Sequence, residues 1–215
     1  MAMNLDELRA AILAGEGREV EFKRGLPNDR KIARSLCAFA NTRGGLLFIG
    51  VGDNGELEGA PHPELTARKL AEISLRTIVP SIAPRIEVVL LDGAILVVAR
   101  VAASRSRPHA VLRDDDPPEV VVRSGSSNRI ASRPTLAALK NARRSRSTLG
   151  RFEKSVLEFV DARESRDPNA GVTVVEFARA SNVGVQRTRR TFTRLEREGF
   201  LIGVGIGGGR RYQSS

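Results

Sequence analysis

The chain has 215 residues with 35 Lys plus Arg against 25 Asp plus Glu, a formal charge of +10, and 30 of those cations are Arg, the side chain suited to bidentate phosphate and carboxylate contacts. Globular proportions of apolar (41%) and charged (28%) residues exclude disorder as the main state. A single cysteine, Cys37, excludes an intrachain disulfide and a cysteine-based metal cluster, and two histidines leave little for a zinc site.

Taken in chain order, MAMNLDELRAAI lacks the apolar core and small-residue cleavage site of a signal peptide. No apolar run approaches the roughly 20 residues of a membrane span, so a cytoplasmic location is expected. Val20-Glu21-Phe22-Lys23 reads as a short strand, and Asp29 to Ala40 as a helix whose apolar face contains Ile32, Leu36, Cys37 and Phe39. Cys37 is expected in the core, since no histidine lies near it in sequence to activate the thiol. The turn Asn41 to Gly45 ends that helix, and Leu46 to Val51 is a buried strand.

Gly50-Val-Gly52-Asp-Asn-Gly55 matches the dinucleotide-binding GxGxxG pattern, but Asp53-Asn54-Gly55 is hairpin-turn chemistry and Glu56 to Pro61 cannot open the helix that fingerprint requires. No GxxxxGK[ST] segment occurs, so a P-loop is unsupported. Pro63 to Thr77 is helical in pattern. Ile86–Leu91 and Ile95–Val101 flank Asp92-Gly93 and form a hairpin. Glu119 to Arg123 is a last strand, followed by Ser124 to Arg129 and a short helix from about Pro134. The expected architecture is α/β with mixed strand pairing.

Four of these segments occur in a recognisable order. They are Glu16-x4-Glu21-Phe22-Lys23, the run from Cys37 through Asn41-Thr-Arg-Gly-Gly45 to Asp53-Asn-Gly55, then Arg107-Pro108, and finally Val122-Arg123-Ser-Gly125-Ser-Ser-Asn-Arg129. Together they resemble the Schlafen-type AlbA_2 domain, also described as divergent AAA-4, a nucleic-acid-binding module common in bacterial proteins with winged-helix tails. The resemblance runs over about residues 12 to 140. It departs at Gly17, where the family usually has Ser or Thr, and at Val121, where Tyr is frequent.

In the eukaryotic Schlafen branch the matching acids form a metal-dependent ribonuclease site, and the positions that correspond are Glu16, Glu21 and Asp53. By that resemblance they would hold Mg²⁺ or Mn²⁺ and activate water, with Lys23 offsetting developing charge. The competing reading makes Glu16 a surface acid, Glu21 and Lys23 alternating strand residues, and Asp53 a turn residue. Arg123, Arg129 and Arg133, with Arg105 and Arg107, form a candidate basic patch, unless they pair with Glu119 and Asp114 to Asp116.

Lys140 to Gly150 is polar and basic and marks a junction, giving a first domain over residues 1–142 and a second over 150–215. From Lys140 onward there are 16 cations and 8 anions, against 19 and 17 before it, so the excess sits in the last third. That is where a polyanion is expected to bind. Arg151 to Glu164 is an amphipathic helix. Thr173 with Glu176 is a capping box for a second helix to about Ala180, and Ser181 to Gly184 breaks it.

A third helix, Val185 to Glu198, sets Thr188, Phe192 and Leu195 on one face and Gln186, Arg187, Arg189, Arg190 and Arg194 largely off it. Phe200 to Ile202 and Arg211-Tyr212 then flank a glycine-rich loop. This order resembles a winged helix-turn-helix over roughly 65 residues. The resemblance implies major-groove contacts to double-stranded DNA by Gln186, Arg187 and Arg190, phosphate contacts by Arg189 and Arg194, and backbone or minor-groove contacts by Arg210 and Arg211. A homodimer is expected because one recognition helix reads few base pairs. The expected function is a DNA-binding transcriptional regulator, against two alternatives: a metal-dependent nuclease, acting on RNA or DNA, and a protein-docking module.

Overall fold

The computed structural model describes residues 3–141, 149–167, 169–205 and 207–214. The chain divides into two compact units, Met1–Ile130 and Ala131–Ser215.

In the first unit α1 (Leu5–Ala14) starts at Asn4, whose side chain accepts from the Asp6 N–H, and α2 (Asp29–Asn41) starts at Asn28, which caps the Lys31 N–H. Between them lies β1 (Val20–Lys23). Then come β2 (Gly44–Ile49), α3 (Pro63–Arg76), β3 (Ile78–Val79), β4 (Arg85–Leu91), β5 (Ala94–Ala102), β6 (Ala110–Val111), β7 (Val121–Ser124) and β8 (Ser127–Ile130). The main sheet has the order β1-β2-β5-β4, with β1 parallel to β2 and the other pairs antiparallel. The expected mixed α/β architecture is therefore present. The strand-period reading of the sequence does not reach α1, β3, β6 or β8, which are short or weakly patterned.

Alternate residues of the sheet feed two cores. Leu47, Ile49, Val97 and Ala99 pack under α2 with Ile32, Leu36 and Phe39, whereas Leu46, Phe48, Leu96 and Val98 pack with Leu8 of α1 and Phe22. Burial on both faces explains why Leu46–Val51 reads as a continuous apolar run. Each such side chain withdrawn from water contributes about 1.5–3 kcal/mol. At Gly45 a Cβ would come within 2.5 Å of the Phe39 ring, so only glycine lets β2 approach α2 this closely. The Asp92-Gly93 turn has positive φ at both residues (48° and 87°), the type I′ geometry that the dipeptide predicts.

The GxGxxG segment serves the backbone. Gly50 (φ 97°) accepts from the N–H groups of Glu58 and Gly59 at 2.9 Å, and Val51 bridges Leu57 across the Asp53–Gly55 turn. A Cβ on Gly50 would strike Ala60.

The second unit contains α4 (Arg133–Asn141), α5 (Arg151–Arg166), β9 (Val172–Thr173), α6 (Val174–Ala180), α7 (Val185–Arg197), β10 (Leu201–Val204) and β11 (Arg211–Ser214). The strands form an antiparallel sheet in the order β10-β11-β9. Both halves of the Thr173–Glu176 capping box are formed. Phe152 and Phe159 meet Phe177 edge-on, Phe177 meets Phe192, and Phe192 meets Tyr212, with centroids 5.0 to 5.9 Å apart.

Sequence patterning groups α4 with the first domain, but packing groups it with the second unit. Ala138 and Leu139 are buried, and the Thr135 hydroxyl donates to the Gly203 carbonyl at 3.2 Å. The two units accordingly divide at Ile130–Ala131. Most of the expected junction, residues 142–148, lies outside the described residues.

Candidate nucleic-acid interface

Two candidate acids of the first unit, Glu16 and Glu21, belong to a partly buried ionic lattice. Glu21 projects from β1 and is 7% exposed. Its Oε1 accepts from the Ser35 hydroxyl of α2 at 3.0 Å and lies 3.0 Å from Lys23 Nζ, while Oε2 accepts from Arg123 of β7. Arg123 is 1% exposed. It also donates to the carbonyls of Gly17 and Val20 and to Asn128 Oδ1, and its guanidinium lies 4.9 Å from the Phe39 ring centroid. Desolvation pushes its pKa below the ordinary value, and Glu21 opposes that shift. Glu16 Oε1 accepts from the Phe22 N–H at 2.7 Å and lies 3.8 Å from Lys23 Nζ.

This geometry bears on two expectations. Asp53 is exposed in its turn, and among the described residues no group of three or more His, Cys, Asp or Glu side chains is arranged to hold a metal. Both Glu21 oxygens are already neutralised by cations, so the set Glu16, Glu21 and Asp53 does not fit Mg²⁺ or Mn²⁺. Arg123 is the strut inside this lattice and cannot belong to a surface patch with Arg129 and Arg133. Those two are exposed, but Arg129 lies on β8 of the first unit and Arg133 on α4 of the second.

The neighbouring arginines have structural partners as well. Arg107 donates to the carbonyls of Asn41 and Thr42 at the end of α2, and burial lowers its pKa. Glu119 pairs with Arg34, and Asp116 with Arg113. Burial pushes the Cys37 thiol to about 12, and its Sγ donates to the His109 carbonyl, as befits a core residue. Sequence reasoning missed the role of Asn41. Fully buried, its amide donates to the carbonyls of His109 and Val121 at 2.9 Å and its Oδ1 accepts from the His109 N–H at 2.8 Å, tying both distant segments to α2.

In the second unit α7 has one buried face, formed by Thr188, Phe192, Leu195 and Glu196, while Gln186, Arg187, Arg189, Arg190 and Arg194 are exposed. The helical period alone produces this division. The five exposed side chains are not equivalent. Arg187 stacks 4.5 Å over the Phe152 ring, and Arg194 pairs with Glu153 of α5. Arg189 lines a recess of about 370 Å³ with Val174, Val175, Thr193, Arg210 and Tyr212. Gln186 and Arg190 stand outward, and among the described residues neither makes an ion pair or a side-chain hydrogen bond, the condition that leaves donors available for a ligand.

Arg210 has a different role from the one expected. Its Nη2 pairs with Glu196 at 2.6 Å and donates to the Gly203 carbonyl at 3.0 Å, and its Nη1 donates to Gly205, so it closes the base of the β10–β11 hairpin. Glu196 is 2% exposed and also accepts from the Gly203 N–H. The signal for it was present in the sequence, because Glu196 lies four residues after Phe192 and so shares its face. Arg211 donates to the Gly171 carbonyl at 2.7 Å and approaches Glu176 at 3.7 Å, with half of its side chain exposed.

The first unit, then, is a mixed α/β domain in which Arg123 ties the Arg-Ser-Gly segment to Glu21 of the Glu-x4-Glu-Phe-Lys segment, and Asn41 of Asn-Thr-Arg-Gly-Gly holds the neighbouring Val121. The model of the Schlafen, AlbA_2 family matches residues 16–132, more than half of the chain, and the chain belongs to that family. Among solved structures, the DIP2311 protein from Corynebacterium diphtheriae aligns over 75% of this chain at 20% identity and a TM-score of 0.49, and this chain spans about a third (34%) of that protein's length. The N-terminal domain of a RecG-related protein from Nitrosomonas europaea aligns over 68% of this chain and 92% of its own, at 23% identity and a TM-score of 0.40. No described helix is long and apolar enough to cross a membrane.

Proposed function

We propose that the protein is a nucleic-acid-binding protein, a bacterial transcriptional regulator whose second unit acts as a winged helix-turn-helix on double-stranded DNA. The observation that carries this reading is α7. It buries Thr188, Phe192 and Leu195, and along its opposite side it presents Gln186, Arg189 and Arg190 to solvent, next to the β10–β11 hairpin. Gln and Arg at the start of such a helix match the base edges of adenine and guanine, and Arg189 is placed for phosphate. Arg187 and Arg194 contribute from the same face while held by Phe152 and Glu153. Arg211 stands at the hairpin base, and Arg210 supports the hairpin from within.

Family membership and the basic last third of the sequence support the same reading. The acidic residues of the first unit then stabilise the fold, and the proposed activity includes no metal-dependent step.

The test is selection of bound sequences from a random duplex pool, followed by titration of the enriched site at several salt concentrations. Arg190→Ala should weaken the enriched site by about 1–3 kcal/mol and relax base preference. Arg189→Ala should weaken all sequences alike and reduce the salt slope by about one. Absence of any salt-sensitive binding would sink the proposal and favour protein docking.

A further inference from the structure

The free edge of the first unit's sheet has the pattern of a strand built to pair with itself. Because β4 and β5 are joined by a type I′ turn, Leu91 and Ala94 exchange both of their backbone hydrogen bonds, and so do the register pairs Val89 with Leu96, Glu87 with Val98 and Arg85 with Arg100. The intervening residues Ile86, Val88 and Leu90 therefore aim their N–H and C=O groups away from β5. Among the described residues no other strand pairs with β4, and no backbone hydrogen bond from a loop reaches these three.

Two of these residues carry exposed apolar side chains, while Ile86 is partly buried against the core. Leu90 is 66% exposed and Val88 37%, and Leu90's cross-strand partner Ile95 is 47% exposed. An uncovered apolar edge of this length normally invites another strand unless lysine, proline or a bulge blunts it, and Ile86 to Leu91 holds neither lysine nor proline.

We infer that β4 pairs antiparallel with β4 of a second copy of this chain, joining two four-stranded sheets into one of eight strands. A two-fold axis through Val88 sets Ile86 against the partner's Leu90 and Val88 against the partner's Val88. That register satisfies all three outward donors and acceptors of each chain and forms one apolar row. The repeat of apolar residues at alternate positions reads almost the same in either direction, which suits a second copy better than an unrelated strand.

Charge permits the approach despite the overall +10. Arg85 and Glu87 lie on the other face of β4 and pair with each other, Arg85 Nε donating to Glu87 Oε1 at 2.6 Å, so the edge is locally neutral. A contact confined to one strand edge and its apolar flank is small against the usual range of about 1,200–2,000 Å², so the dimer should form in a concentration-dependent way. This inference is independent of the DNA reading, although a two-fold protein would suit two-fold half-sites.

The test is the mass of the full chain in solution by light scattering, from about 1 to about 100 µM, a span over which a weak dimer would come together. The wild type should reach twice the chain mass of 23.3 kDa. Val88→Pro removes only an outward N–H, sparing the ladder to β5, and Leu90→Lys places a charge in the apolar row; each should stay monomeric with an unchanged circular dichroism spectrum. If Val88→Pro misfolds, Leu90→Lys decides alone. A wild type that remains monomeric at the highest concentration overturns the inference, as does a dimer that persists in the folded Leu90→Lys variant.

Discussion

Glu21 and Arg123 illustrate how burial changes the meaning of a charged side chain. On a solvated strand face a Glu and an Arg are interchangeable with many polar residues, and their pairing stabilises by less than about 1 kcal/mol. Here Glu21 is 7% exposed and Arg123 1%, so Arg123 without Glu21 is a charge held away from water with only carbonyl and amide oxygens as partners. Glu21→Ala should lower unfolding stability by about 3–5 kcal/mol, measured as a shift in the urea midpoint. The double variant Glu21→Met with Arg123→Met should recover much of that loss, because it removes both charges. A Glu21→Ala protein as stable as the wild type would contradict the structural role assigned to the lattice.

Helix ends and helix docking show the same dependence on local chemistry. The Thr173 hydroxyl accepts from the Glu176 N–H at 3.1 Å while Glu176 accepts from the Thr173 N–H at 2.7 Å. Thr173→Ala should cost about 1 kcal/mol, read from thermal unfolding, since an N-terminal donor of α6 loses its partner.

At the opposite end of the chain α1 is fastened by exposed carboxylates. Arg100 holds the Glu7 carboxyl below its ordinary value, Arg9 does the same for Asp92, and for Glu87 the lowering comes chiefly from the Met3 N–H and then from Arg85. A depressed folded pKa contributes stability that is present above the unfolded values of 4.5 for Glu and 3.8 for Asp and is lost as pH falls through the folded ones. Hydrogen exchange should therefore show α1 loosening as pH falls from 5 towards 3, before α2, which is docked mainly through buried apolar residues such as Ile32, Leu36 and Phe39. Simultaneous loosening of both helices would contradict this.

At the scale of the molecule, charge and fold are distributed differently. Each unit has its own core, one layered on both faces of a sheet and one built around a chain of aromatic rings. The charge excess belongs to residues 140–215 and not to the larger unit, so salt should weaken nucleic-acid binding far more than it weakens folding of the first unit.

Much of this was determined by the sequence alone. Strand and helix periods located β1, α2, β2, the β4–β5 hairpin and α5 to α7, because alternation and 3.6-residue spacing are local consequences of which face must be buried. The outward row of α7 and the turn role of Asp53–Gly55 were legible for the same reason. Tertiary structure alone decided which charges are available. Arg123, Arg107 and Arg210 look in sequence like Arg129 or Arg190, yet they find Glu21, the end of α2 and Glu196 across separations of up to 102 residues. A side chain's partner is set by the folding of distant segments, and spacing along the chain carries no record of it. The exposed backbone of β4 belongs to the same class, since a strand becomes an edge only when every other strand has chosen its neighbour.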